Sequence, residues 1–498
     1  MPIQIPTLDF IALVPSLIVM ATALIVLLLD LVVADKRFLG YLGLLGIVAA
    51  AVASMVLAGY APLAFQDMAV SDGYALFFNL VFLVTAGLAT LIAIDYLERH
   101  DLGHGAYYAL LLFSTGGMML MAAATDLIVV FLGLEIMSIS LYILAGFNRR
   151  QFASAEAGLK YFILGGFASA FFLYGAALTY GATGSTNLAQ IGAWLSGGSP
   201  FSPNPDPMAM VGLALLLIGF AFKVAAVPFQ WWTPDVYQGA PTSVTAFMSV
   251  GAKAAGFAAL IRVLHFSFGD SVYSAGWTVA IAALAVLTMT FGNLAALAQR
   301  DVKRMLGYSS IAHAGYILVG VAAGNESGVR AVLFYLLAYA FMTVGAFAVA
   351  AVIERRDEFS TTLRDYDGLS QRQPLLAAAM AVFMLSLTGI PPLVGFWGKL
   401  FVFRAAVEAD LTWLVVVGVI NSVISAFYYL GVVVHMVMRD PAQYAPTLPG
   451  EEGASKKLGA VELKAAIATA VLLAMLLTII LGLWPGSITN LVAQIPIG

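Results

Sequence analysis

Apolar runs of about 20 residues recur from one end of the sequence to the other, and each is long enough as a helix to cross a hydrocarbon core of roughly 30 Å. Helices are the default for such runs, because lipid leaves open backbone groups without partners. Composition agrees: 62% of the 498 residues are hydrophobic and 10% charged, against roughly a quarter charged in a soluble domain. The predicted fold class is all-α, a polytopic membrane protein of about fourteen transmembrane helices. They cover 10–33, 39–59, 74–97, 105–124, 127–147, 156–180, 208–238, 241–266, 275–297, 302–323, 328–353, 374–404, 411–437 and 461–484. The first run has no basic leader and no small-residue cleavage site, so it reads as a retained helix rather than a signal peptide. The stretch from Gly181 to Pro207, punctuated by Pro200, Pro203 and Pro205, reads as an irregular loop. No connection is long enough for a soluble domain. The sequence has no cysteine, which excludes disulfides, cysteine-held iron–sulfur clusters and thiol nucleophiles within it.

Basic residues test the helix count, since cytoplasmic connections are enriched in Lys and Arg. Odd-numbered connections and their flanks hold 17 of the 23, from Lys36 and Arg37 to Lys464, whereas even-numbered ones and both tails hold only Arg262, Arg330 and Arg404. Both termini are therefore expected on the outer, periplasmic side. Three lysines remain, Lys223, Lys253 and Lys399, each well inside a predicted helix, and among the acids Glu135 is the clear intramembrane case. A charge at mid-membrane costs several kcal/mol on most scales, so such residues face the bundle interior and mark ion pathways.

Helices seven and twelve are long and interrupted, around Lys223-Val-Ala-Ala-Val-Pro228 and Gly389-Ile-Pro391-Pro392. Proline removes a donor and opens the backbone there. Each break falls in the fourth helix of a five-helix unit, and because five is odd the second unit must be inverted; breaks at matching positions of two repeats point to a site at the break. The expected organisation is three helices over 1–104, a first five-helix repeat over 105–270, a second, inverted repeat over 271–440, and a loop with helix fourteen over 441–498.

Three segments, PFQWWTPDVYQGAPTSVTAFMSVGAKAAGF at 228–257, RDVKRMLGYSSIAHAGY at 300–316 and LTGIPPLVGFWGKLFVF at 387–403, resemble the antiporter-like membrane subunits shared by respiratory complex I, membrane hydrogenases and multisubunit sodium/proton antiporters. The resemblance runs over nearly the whole chain. Within that family the last segment looks like the subunit N branch, since subunit M usually has a glutamate where Lys399 stands. Subunit L normally continues into a long lateral helix, whereas this sequence stops at Gly498. The resemblance implies a non-redox subunit of a proton-pumping NADH:quinone oxidoreductase, a translocase. NADH, FMN, iron–sulfur clusters and quinone would all sit in partner subunits, with no cofactor in this chain. It also implies sister antiporter-like subunits as neighbours in the lipid bilayer, and no nucleic acid. Some animal mitochondrial versions lack the first three helices, so their presence favours a bacterial plasma (inner) membrane.

In the family, the glutamate matching Glu135 pairs with the lysine matching Lys223 and modulates its proton affinity, and the lysine matching Lys399 passes protons towards the outer face. Lys223 precedes its break by five residues, where freed carbonyls at a half-helix end could solvate an ammonium. Lys399 lies two turns beyond the double proline, where the dipole of its own half-helix should have faded. Lys253 stands mid-way along helix eight, and lysine is a side chain whose proton affinity burial tunes. Lys160 is expected at a cytoplasmic entry rather than on the central axis. His313, in SSIAHAGY, is either a relay between Lys253 and Lys399 or a hydrogen-bonded packing residue. His265 and His435 read as structural; haem would need paired axial ligands on facing helices, and nothing fixes such a pair. The expected function is proton translocation along Glu135, Lys223, Lys253 and Lys399. The alternative is a subunit of a multisubunit sodium/proton antiporter; a quinone-binding redox subunit lacks any metal or flavin motif.

Overall fold

The computed structural model describes residues 9–197, 205–269, 271–354, 361–440 and 463–495. In chain order the helices are α1 Val14–Leu29, α2 Lys36–Val56, α3 Gly73–Arg99, α4 Gly105–Ala123, α5 Leu127–Ala145, α6 Phe152–Thr183, α7 Leu188–Gly197, α8 Pro207–Val224, α9 Trp232–Gly239 and α10 Thr242–Phe268. They continue as α11 Ser274–Leu297, α12 Val302–Ala322, α13 Glu326–Ile353, α14 Leu369–Arg372, α15 Pro374–Thr388, α16 Val394–Glu408, α17 Thr412–Met438, α18 Ala465–Leu483 and α19 Gly486–Ala493. The one sheet among the described residues is a two-stranded hairpin, Leu63–Ala64 with Ala69–Val70. Starts are set by side-chain caps. Asp35, Asp72, Asp126, Asp206, Asp301 and Asn325 each accept a backbone N–H in the first turn of α2, α3, α5, α8, α12 and α13. Five aspartates of the connections thus start helices.

Thirteen of the described helices are long and apolar enough to cross a membrane. The fourteenth expected span is made by two, α15 and α16, each 15 residues and so only about 22 Å long. A correction falls in the expected irregular loop, where α7 forms: Asn187 caps its first amides, and Leu188, Ile191 and Leu195 bury one face. Pro200 and Pro203 lie outside the described residues, as do Arg355, Arg356, Lys456 and Lys457. The short α14 and α19 were not expected either.

α10 and α13 form the centre, each buried throughout its most apolar stretch. Neither has a polar face to turn outward, which is the pattern of a helix enclosed on all sides. They pack on one another, α10 also on α3, α4, α8 and α12, and α13 also on α12, α15, α16 and α18. Small residues permit the closeness. A Cβ at Gly256 of α10 would lie 3.1 Å from Val224 and 3.3 Å from the Cβ of Lys223, so the backbone of α10 rides directly over the end of α8.

Both breaks open in the same way. α8 ends on Ala225 at φ 61°, and the Ala226 amide reaches back to the carbonyl of Ala221 at 2.8 Å. α15 ends on Gly389 at φ 93°, and the Ile390 amide reaches back to Leu385 at 3.1 Å. A left-handed residue followed by a bond spanning five residues is the usual way to close a helix C-terminus.

Candidate functional site

Glu135, Ser138 and Tyr142 lie on one face of α5, at spacings of three and four residues, opposite the last turn of α8. Lys223, 3% exposed, donates to Ser138 Oγ at 2.7 Å and to Tyr142 Oη at 3.4 Å. The expected pairing of Glu135 with Lys223 is not a direct contact. Among the described residues Lys223 has no carboxylate within ion-pair distance, and half-buried Glu135 instead accepts from Ser169 Oγ of α6 at 2.5 Å. Ser138, which accepts from Lys223, donates its own hydroxyl to the carbonyl of Leu134. The two charges each bond a different serine and interact at a distance rather than in contact.

Lys253 is 2% exposed and is held by α12, where Ser310 offers both its carbonyl and its Oγ, the latter at 2.6 Å; the Tyr339 ring centroid lies 5.9 Å from the ammonium. His313 follows Ser310 by one turn. Its Nδ1 pairs with Tyr335 Oη at 2.8 Å and its Nε2 with Tyr429 Oη at 3.1 Å, and Tyr429 is also bonded to Ser309. One further turn along α12, Tyr316 places its ring 4.7 Å from the Lys399 ammonium. Ser310, His313 and Tyr316 therefore form a polar stripe at a spacing of three, reaching from one buried lysine to the next. Asn293 extends it, donating to Tyr316 Oη at 3.0 Å and accepting from Tyr428 at 2.9 Å.

Lys399, 5% exposed, donates to the carbonyl of Thr388 and to Ser422 Oγ, both at 2.8 Å. Thr388 is the last residue of α15. Distance along its own half-helix was thus the wrong measure. The side chain folds back across the break onto a carbonyl that the preceding half-helix leaves open, at the negative end of that dipole. The carbonyl solvation expected for Lys223 is found at Lys399, while Lys223 binds hydroxyls.

Lys160 is off this line. At 41% exposure it bridges Glu156 at 2.7 Å and Asp235 at 2.8 Å, and Asp235 also receives Arg304 at 2.7 Å, which ties α6 to α9 and α12. His435 holds Asp367 at 2.6 Å, and His265 lies edge-on to Trp277.

Two charge pairs, one fully buried and one with a buried arginine, were missed in the sequence because their residues counted as loop flanks. Lys303 and Glu354, both 0% exposed, stand 3.5 Å apart, with Thr242 donating to Glu354. Arg262, 1% exposed, grips Asp72 through two bonds of 2.9 Å beneath the ring of Tyr74. Breaking a fully buried pair such as Lys303–Glu354 by removing one partner costs about 3–5 kcal/mol. The available signal was Glu354 directly after a 23-residue stretch without charge, 331–353, and Arg262 in the middle of an apolar run. Among the described residues no three of the His, Asp and Glu side chains converge as metal ligands would.

The family model described as NADH:quinone oxidoreductase/Mrp antiporter, TM matches residues 124–425. The chain is 49% identical over 450 residues to NADH-quinone oxidoreductase subunit N of Trichlorobacter lovleyi, covering 90% of this chain and 89% of that protein. Among solved structures it is similar to a chain of respiratory complex I from Thermus thermophilus with bound aureothin, with 37% identity, a TM-score of 0.78, and coverage of 96% and 98%. It is also similar to a chain of the membrane-bound sulfane sulfur reductase, an archaeal respiratory membrane complex, at 28% identity and a TM-score of 0.85, over 97% and 96% of the two chains. A family match over more than half the chain and this degree of identity over nearly all of it lead to one conclusion: the chain belongs to the NADH-quinone oxidoreductase subunit N family of antiporter-like membrane proteins.

Proposed function

We propose that the chain is a proton-translocating membrane subunit of a bacterial NADH:quinone oxidoreductase, in which quinone reduction elsewhere drives charge rearrangement along Glu135, Lys223, Lys253 and Lys399. The observation that carries this reading is the lodging of Lys253 and Lys399, both fully enclosed and both held by hydroxyls and carbonyls alone among the described residues. A lysine paired to a carboxylate serves a structural ion pair. One solvated by neutral oxygens keeps partners in either protonation state and can therefore give up its proton.

On this reading His313 relays between Lys253 and Lys399 through its tyrosine contacts, and Lys160 belongs to the cytoplasmic face. The chain lies in the plasma membrane with both termini outside, beside sister antiporter-like subunits, and its partners carry the flavin, iron–sulfur clusters and quinone. The two breaks, each opened by a left-handed residue, support two inverted units over 105–270 and 271–440.

The test uses the whole assembly in vesicles, with Lys253→Ala against wild type at equal subunit content. Proton uptake driven by NADH oxidation is expected to fall about a hundredfold, the scale of a lost proton-transfer group. Uptake at the wild-type rate would reduce Lys253 to packing. Co-purification of flavin and iron–sulfur partners separates this function from gradient-driven sodium/proton exchange.

A further inference from the structure

A cavity of 730 Å³ opens between α4, α5 and α6 at the ends that carry Asp101, His104 and Arg149, and it runs inward past Gly146 and Leu110 to Tyr142. Its mouth is charged and its inner walls are apolar apart from that one phenol. Tyr142 is 7% exposed, and its hydroxyl is 3.4 Å from the Lys223 ammonium. Tyr142 thus lines the cavity while its hydroxyl accepts from a buried titratable amine. Its position is fixed. The ring stands edge-on to Tyr161 at 4.8 Å and to Phe162 at 5.8 Å, and the hydroxyl fills the space that a side chain at residue 165 would need, since a Cβ on Gly165 would lie 2.0 Å from it. Lys160, the residue expected at the entry, is absent from the lining.

We infer that Tyr142 is the gate between the cytoplasm and the proton path, and that protons reach Lys223 from this cavity through the Tyr142 hydroxyl. The transfer is a concerted exchange. The phenolic O–H bond breaks as its proton moves to the neutral Lys223 amine, while the phenol oxygen takes a proton from a hydronium or water at the inner end of the cavity. Tyr142 ends neutral as it began, and one proton has passed from cavity to ammonium. A phenol suits this task because its hydroxyl is both donor and acceptor. The inference rests on the proposed role of Lys223, and the experiment separates the two.

In the intact assembly, Tyr142→Phe keeps the ring and removes only the hydroxyl, and NADH-driven proton uptake is expected to fall tenfold or more. Gly165→Ala should produce a comparable loss by displacing the hydroxyl, and the double variant should be no worse than either single one. Wild-type uptake in Tyr142→Phe while Lys223→Ala abolishes pumping would overturn the gate and leave the path standing; wild-type uptake in Lys223→Ala would overturn the path itself. Multiplied losses in the double variant would also reject the gate. A readout independent of turnover comes from single cysteines, since the chain has none of its own. In inverted vesicles a membrane-impermeant thiol reagent should modify Leu110→Cys, on the cavity wall, and should leave Ile139→Cys, 52% exposed on α5 and outside the lining, unmodified. Protection of Leu110→Cys that disappears on delipidation would show a groove filled by lipid, and would reject a water-filled entry.

Discussion

At the scale of single residues, what distinguishes the buried lysines is the chemistry of their partners. Lys399 spends its proton donors on the Thr388 carbonyl and the Ser422 hydroxyl, neither of which needs the lysine to be charged. Arginine would keep those bonds and the charge but would not release a proton under physiological conditions. Glutamate at the same position must carry a proton to donate to Thr388, so it too cycles between bonded and unbonded forms. Lys399→Arg is therefore expected to assemble and to pump at least tenfold more slowly than wild type, with Lys399→Glu impaired less. Quinone-linked proton uptake at equal assembly and over a range of pH decides this, and full activity in the arginine variant would make Lys399 an electrostatic gate. The positions of these lysines were legible in the sequence, because a charge inside an apolar run has no bland explanation of comparable strength. Their partners were not. Ser138, Tyr142 and Ser422 are ordinary residues of apolar helices until the fold turns them towards an ammonium, and Glu135 and Lys223 each bond a serine rather than one another.

At the scale of elements, the two breaks were read correctly from their prolines, yet proline does not by itself tell where a helix closes. Closure is set by Ala225 and Gly389 in left-handed geometry, and only the glycine announces that in sequence. Alanine at φ 61° carries a cost of about 1–2 kcal/mol that glycine avoids. Gly389 has a second constraint, since a Cβ there would sit 3.0 Å from Lys399 Cδ and 3.5 Å from its Nζ. Gly389→Ala is thus expected to destabilise the assembly by about 1–3 kcal/mol and to shift the Lys399 side chain off Thr388. A lowered thermal midpoint in detergent together with slowed proton uptake would bear this out; a variant as stable and as active as wild type would show that the break is set by its prolines. The α7 helix illustrates the opposite limit. Its apolar residues at 188, 191 and 195 carry the helical spacing, but the surrounding prolines dominated the reading of that stretch.

At the scale of the whole molecule, orientation is the property that sequence reasoning addresses best, and the fold sharpens the argument. Of the three basic residues assigned to the outer connections, Arg262 is buried and paired with Asp72, while Arg330 and Arg404 each pair with a glutamate four residues away, Glu326 and Glu408. On the proposed orientation, the described residues of the outer face therefore present almost no uncompensated positive charge. Lys303 leaves the cytoplasmic tally in the same way, enclosed with Glu354, yet Arg149, Arg300, Arg364 and Arg439 remain in connections on that side. Basic residues near helix ends are held on the cytoplasmic side of the membrane during insertion, so the asymmetry supports the proposed orientation. Because the chain has no cysteine, exposed reporters can be placed without background at Ala189, in α7, and at Gln371, in α14. In intact cells an impermeant thiol reagent should label Ala189→Cys and spare Gln371→Cys, and in inverted vesicles the pattern should exchange. Both positions labelled from the same side would break the helix count between them, since the α8–α9 pair, α10, α11, α12 and α13 together make an odd number of crossings. The two patterns exchanged throughout would keep the count and invert the protein, moving the cavity that ends on Tyr142 to the outer face.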